Sequence, residues 1–105
     1  MDKSIINGLH MTNNQNLYIW GAGSIGVPLA NYLIKRNIDV SAIIDNDSHK
    51  QKSLNLSVPV IPYNSISGES INIFISVLNK VAIEQIKEQI WKEGKSDNIL
   101  SFEEL

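Results

Sequence analysis

LYIWGAGSIGVPLANYLIKRNIDVSAIID, residues 17–45, decides the fold of this chain. LYIW at 17–20 is a short β-branched and aromatic run that stops at glycine, the mark of a buried strand. After the glycines, Ile25, Leu29, Leu33 and Ile34, with Ala30 between them, recur at helical spacing, so 24–37 is expected to be a helix with a wide apolar face. Asn37 closes it, and Pro28 falls in its first turns, where a missing N–H costs least. VSAIID at 40–45 is a second apolar strand ending in a carboxylate. Strand, glycine turn, helix and strand within about thirty residues make a βαβ unit with a right-handed crossover.

Working outward, the segment 1–15 has no period of either kind and is polar between 12 and 15, so it is expected to be a poorly ordered leader. Downstream of Asp45 the chain departs from a regular alternation of strand and helix. VPVIPYNSI at 58–66 offers a brief extended segment between two prolines and at most one helical turn at 63–67. INIFISV at 71–77 is a strongly apolar strand. Ala82, Ile83, Ile86 and Ile90 then set up a final amphipathic helix, with Asn79 as N-cap and Gly94 as C-cap, and NILSF at 98–102 reads as a short closing strand. Apolar runs without alternation, separated by amphipathic helices, predict an α/β domain. It should have a mostly parallel sheet of four to five strands, helices on both faces and the glycine strand in the middle. Residues 16–105 would form this one domain.

The whole-chain figures set limits. At 105 residues and 43% hydrophobic, with a mean hydropathy of -0.07, the chain has the length and composition of one folded domain. A net charge of -2 and no dense basic stretch argue against a nucleic-acid partner. The absence of cysteine excludes disulfides, thiolate metal sites and a cysteine nucleophile. No apolar run approaches the ~20 residues of a membrane span, no secretory signal opens the chain, and a cytoplasmic location is expected.

GAGSIG at 21–26 has the GxGxxG spacing, and here it follows a strand, opens a helix and precedes an acid nineteen positions after Gly26. Gly21 permits the tight turn, Gly23 lets the backbone approach a phosphate, and Gly26 allows the helix to pack against the strand. The N–H groups around Ser24 and Ile25, at the positive end of the helix dipole, suit a diphosphate. Asp45 is placed to accept from a ribose diol, which favours NAD-like over NADP-like ligands. The competing reading is that Asp45 merely begins a turn completed by Asn46 and Asp47. Lys50 and Lys52 would soften repulsion of a ligand phosphate.

Acid–base candidates are scarce. His10 lies in the leader and His49 in a polar loop, neither with metal-ligating company, so no metal is expected. Tyr32 is followed four positions later by Arg36, so the tyrosine and lysine pair of short-chain reductases is absent. Tyr63, after Pro62, either lines a pocket near the strand ends or, the preferred reading, covers the core; Trp20 and Trp91 are read as core or edge packing, and Glu84, Lys87, Glu88, Lys92 and Glu93 as a solvated helix face.

Taken together, YIWGAGSIGVPLANYL, VSAIIDND, VPVIPYNSI and INIFISV resemble the N-terminal Rossmann-like domains of bacterial polysaccharide-biosynthesis proteins: nucleotide-sugar epimerases and dehydratases, sugar acyltransferases and some sugar methyltransferases. The resemblance covers about residues 16–102 and is strongest in GAGxxG combined with a strand ending IDND and a following PVI segment. It departs where LNLSVPV replaces the usual glycine before PV. The resemblance implies a module that binds NAD or a nucleotide-sugar, the chemistry falling to a following catalytic domain or a partner protein. By position it implies that Gly21, Ala22, Gly23, Ser24, Ile25 and Gly26 form the diphosphate loop. Asp45 and Asn46 would face the ribose or base, and Ser76 and Val77 would line the cleft. Three functions stay open: a non-catalytic nucleotide-binding module in surface polysaccharide synthesis, an oxidoreductase or transferase completed by a partner, and an interaction domain that keeps the fold without the ligand.

Overall fold

The structure is a computed structural model that describes residues 2–9, 16–52, 58–66, 71–93 and 98–104. Helix α1 (Asp2–Gly8) precedes strand β1 (Asn16–Trp20), helix α2 (Gly26–Lys35), strands β2 (Ala42–Ile44), β3 (Val60–Ile61) and β4 (Ile71–Ile75), helix α3 (Lys80–Glu93) and strand β5 (Asn98–Ser101). The strands form one sheet in the order β3-β2-β1-β4-β5. All four pairings are parallel, with Trp20 beside Ile44 on one flank and Ile75 on the other. The glycine strand is central, and the direction of winding reverses beside it, between β1 and β4.

Alternation along β1 divides the core in two. Leu17 and Ile19 point to the face covered by α1 and α2, where they meet Ile5, Leu9, Leu29, Leu33, Ile43 and Phe74. Trp20 points to the other face, among Ile44, Tyr63, Ile73, Ile75, Ile83 and Ile90, under α3 and the 3-10 turn at Tyr63–Ser65. A sheet covered on both faces explains why its strands read as unbroken apolar runs. β3 has two residues because it lies between Pro59 and Pro62, neither of which has an N–H to donate. Among the described residues, the connection after it holds one 3-10 turn, Tyr63–Ser65, where at most one helical turn is expected from the sequence.

The helix ends follow local rules. Asn37 adopts a left-handed conformation, φ 63°. Its N–H donates to Ile34 O (3.0 Å) and that of Ile38 to Leu33 O (3.0 Å), the Schellman pattern that satisfies the last carbonyls of α2. Ile38 then packs against the core beneath. At the start of α3, Asn79 Oδ1 accepts from Ala82 N–H (3.0 Å), so Asn79 is the N-cap. Gly94 lies outside the described residues.

The leader requires correction. Residues Asp2–Gly8 are helical, with Ile5 at 0% and Leu9 at 1% exposure. A helix this short does not persist alone in water; docking holds it. Asn98 Nδ2 donates to Leu9 O (2.6 Å) and also to Asn72 Oδ1, while Asn72 Nδ2 donates to Asn16 O (3.0 Å). A carbonyl at the end of α1 is thus satisfied by a side chain of β5. The expected disorder at 10–15 falls outside the described residues.

The side-chain readings hold for Trp20 and Tyr63 and change for Trp91 and Lys87. Trp20 stacks obliquely on Tyr63, centroids 5.0 Å apart, and Tyr63 is fully buried. Burial, reinforced by the charge of Glu93, pushes the Tyr63 hydroxyl above its usual range. Trp91 is instead 61% exposed. Lys87, expected on a solvated face, reaches Glu104 (2.9 Å) and ties α3 to the turn after β5. That hydrogen bond raises the Lys87 pKa; burial pushes the Glu104 carboxyl up, but bonds from Lys87 and Ser101 outweigh it and the net shift is down.

Candidate functional site

The carboxyl ends of β1, β2 and β4 meet at the glycine turn. Gly21 leaves β1 at φ 118°, a conformation side chains rarely adopt, with its N–H donating to Ile44 O (2.7 Å). A Cβ at Gly21 would lie 2.9 Å from Ser76 Oγ. At Gly26 a Cβ would lie 1.7 Å from Gly21 O and 2.6 Å from Ser76 Oγ, an impossible overlap. Both glycines are demanded by packing within the chain. Gly23 differs: the nearest atom to its Cβ position is Lys50 Nζ, 3.9 Å away, and its φ lies outside the left-handed range.

Asp45 follows β2 and reaches back to the loop. Its Oδ2 accepts from Ala22 N–H (2.9 Å) and lies 3.8 Å from Lys50 Nζ; its Oδ1 accepts from Asp47 N–H (2.9 Å). The turn reading of Asp45 is met by one oxygen, while the other holds the glycine loop, a contact that neither sequence reading anticipated. The turn continues with Asp47 Oδ1 accepting from His49 N–H (2.9 Å), and Gln51 Nε2 donates to Asp45 O (2.8 Å). The carboxylate side chain keeps 17% exposure, and two oxygens with about four acceptor directions leave capacity for a further donor. Lys50, 44% exposed, stands beside both Asp45 and Gly23.

Not every residue expected at the site faces the open side of the loop. Ser76 is buried at 4% exposure, its hydroxyl donating to Trp20 O (2.8 Å) with Gly21 O at 3.3 Å, so it supports the turn from beneath instead of lining the cleft. Val77 is half-buried in the core under α3, and its Cγ2 lies 3.3 Å from the Gly21 Cβ position. Asn46 bridges elements: its Nδ2 donates to Gln89 Oε1 (3.1 Å) and its Oδ1 accepts from Tyr63 N–H (3.3 Å). Ala22 packs on the core, Ser24 is exposed, and Ile25, the N-cap of α2, offers no side-chain acceptor to the first helical N–H groups. Pro28 is the third residue of α2, between Val27, which donates to Gly23 O (3.3 Å), and Leu29, which donates to Ile25 O (3.1 Å), so the proline forgoes one early bond at most.

The loop also borders a cavity that the sequence did not indicate. It measures about 560 Å³ and is lined by Ser24, Ile25, Pro28, Leu29, Tyr32 and Phe102. Phe102 is fixed edge-on against Phe74, centroids 4.9 Å apart, and the Arg36 guanidinium lies 5.1 Å from the Tyr32 ring centroid. α2 and the turn after β5 are far apart in sequence, so only the folded sheet brings these walls together. Among the described residues no group of three His, Cys, Asp or Glu could hold a metal ion, and no helix is long and apolar enough to cross a membrane.

A five-stranded parallel sheet with helices on both faces and a glycine turn where the winding reverses defines a small Rossmann-like α/β domain. Residues 13–100 match the family described as C2185-like, N-terminal, and the chain belongs to that family. No curated protein and no solved structure matches it.

Proposed function

We propose that this domain binds a nucleotide, of NAD type or a nucleotide-sugar, with the diphosphate over Gly23. The observation that carries this reading is the contrast among the glycines. Gly21 and Gly26 are required by contacts of 2.9 Å and 1.7 Å inside the chain, whereas a Cβ at Gly23 would meet no atom closer than Lys50 Nζ at 3.9 Å. A missing side chain where the fold has room for one leaves backbone open to a ligand. The setting supports an anion: the start of α2 has no acidic residue in its first turn, the dipole there is positive, and an ammonium is adjacent. Asp45, anchored to the loop through Ala22, retains acceptor capacity for a ribose diol.

The domain acts as a non-catalytic module, in the cytoplasm, serving a partner catalytic domain in surface polysaccharide biosynthesis. The motif resemblance supports that setting, and the scarcity of acid–base candidates at the loop fits a binding role.

Thermal unfolding tests it. Ligand at ten times its Kd stabilises by about 1.4 kcal/mol, which a domain of this size registers as several degrees in Tm. NAD or a uridine diphosphate sugar should produce that rise, and Gly23→Val should abolish it while the unliganded Tm changes little. If neither ligand moves Tm at saturating concentration, the reading is wrong; if Gly23→Val binds as the parent does, the ligand is elsewhere.

A further inference from the structure

The cavity beside the loop sharpens the choice between the two ligand classes, an inference that rests on the reading just given. Ser24 and Ile25 belong both to the glycine loop and to the cavity wall. The sugar joined to a diphosphate at Gly23 would lie at Ser24 and Ile25, since adjacent Cα atoms are about 3.8 Å apart, and a ring carried on that sugar, several bonds further on, would extend toward Pro28, Tyr32 and Phe102. The volume of about 560 Å³ lies in the range of small-molecule sites. Its walls supply two hydroxyls, on Ser24 and Tyr32, against the apolar surfaces of Ile25, Pro28, Leu29 and Phe102, and none of the six side chains is charged. A hexose brings hydroxyls over its whole perimeter, and those facing Pro28, Leu29 and Phe102 would lose water without gaining a partner. A flat ring with one polar edge loses nothing of that kind, and Phe102 and the partly exposed Tyr32, both in the cavity wall, offer it aromatic contact. Arg36 stands over Tyr32, 5.1 Å from its ring centroid, which disfavours a second cation nearby.

We infer that the cavity lined by Ser24, Ile25, Pro28, Leu29, Tyr32 and Phe102 receives the neutral, planar, sparsely hydroxylated ring at the far end of a dinucleotide. The chain is thereby suited to a dinucleotide and not to a hexose-bearing nucleotide.

NADH and ADP-ribose differ at this end by the dihydronicotinamide ring alone, so their comparison isolates the cavity. Titrated into the full chain by calorimetry, NADH should bind about tenfold tighter than ADP-ribose, as partial burial of one ring implies, and its fluorescence should rise as the ring leaves water. Tyr32→Ala, at a residue already 37% exposed, should remove most of that advantage while leaving ADP-ribose affinity unchanged, which also reports that the variant is folded. Equal affinities for NADH and ADP-ribose, or an advantage that survives Tyr32→Ala, would overturn the cavity assignment and leave nucleotide binding standing. Binding of uridine diphosphate glucose without NADH would do the same. If NADH, ADP-ribose and uridine diphosphate glucose all fail to bind, both the cavity assignment and the reading beneath it fall.

Discussion

Gly26 and Ser76 illustrate how one residue's chemistry is set by distant chain. The Cβ position of Gly26 lies 1.7 Å from Gly21 O, in backbone that cannot rotate aside, because Gly21 is pinned by Ile44 O and sits against Ser76. Gly26→Ala should therefore cost more than about 4 kcal/mol or prevent folding, the range reserved for strain that neighbours cannot relieve. Ser76→Ala removes the donor to Trp20 O and Gly21 O and leaves the volume nearly unchanged, so a loss of about 1–3 kcal/mol in urea unfolding is expected. A Gly26→Ala protein as stable as the Ser76→Ala protein would contradict this geometry. The roles of Gly21 and Gly26 were legible because a tight turn and close packing each demand a glycine at a fixed offset. The role of Ser76 was not: its partners are 55 and 56 positions away, and a serine ending a strand looks the same whether its hydroxyl faces a cleft or a carbonyl beneath it. Asp45 was legible as an acid at the right distance, but its bond to Ala22 N–H depends on how closely β2 lies beside β1.

At the scale of elements, apolar period and caps carried the reading. α2 ends where Asn37 turns left-handed, and the sequence stopped the helix at that same residue, two positions beyond the last helical one. Asparagine tolerates φ 63° but does not prefer it, whereas glycine takes it without steric cost. Asn37→Gly should accordingly raise stability by roughly 0.5–1 kcal/mol and Asn37→Ala should lower it. Urea midpoints of the two variants check this, and a destabilised glycine variant would mean that the Asn37 side chain contributes more than conformational tolerance. β2 and β4 were drawn too long at their ends: VSAIID adds Val40, Ser41 and Asp45 to the observed Ala42–Ile44, and INIFISV adds Ser76 and Val77 to Ile71–Ile75, although Ser41, Asp45 and Ser76 still donate N–H groups to carbonyls of neighbouring strands. The cavity was illegible at this scale, since Phe102 closes β5 in sequence and gives no sign that it faces Pro28 and Tyr32.

At the scale of the molecule, the element the sequence missed is the one whose order depends entirely on the rest. α1 has seven residues, and two side chains a single turn apart, Ile5 and Leu9, fill the core beneath it, too few to register as a period. Its position is fixed from outside: Gly8 lies so near β5 that a Cβ there would come within 2.7 Å of Leu100, and the Leu9 carbonyl is held by Asn98. Asn98 and Asn72 are neighbours in the β4–β5 register, so the same pair that satisfies α1 also carries the chain back to Asn16 at the start of β1. Two side chains buried to this degree are worth about 3–6 kcal/mol together, against a total of about 5–15 kcal/mol for a domain of this kind. Removing residues 1–9 should therefore lower the urea midpoint by about a fifth or more and expose Leu100, while the glycine turn, held by Ile44, Asp45 and Ser76, keeps its geometry in whatever fraction remains folded. Nucleotide affinity of the shortened chain, measured well below its midpoint, should match that of the full chain. An unchanged midpoint would show that α1 is not part of the cooperative unit. Weakened binding by the folded fraction would show instead that the helix and the loop are coupled through β1.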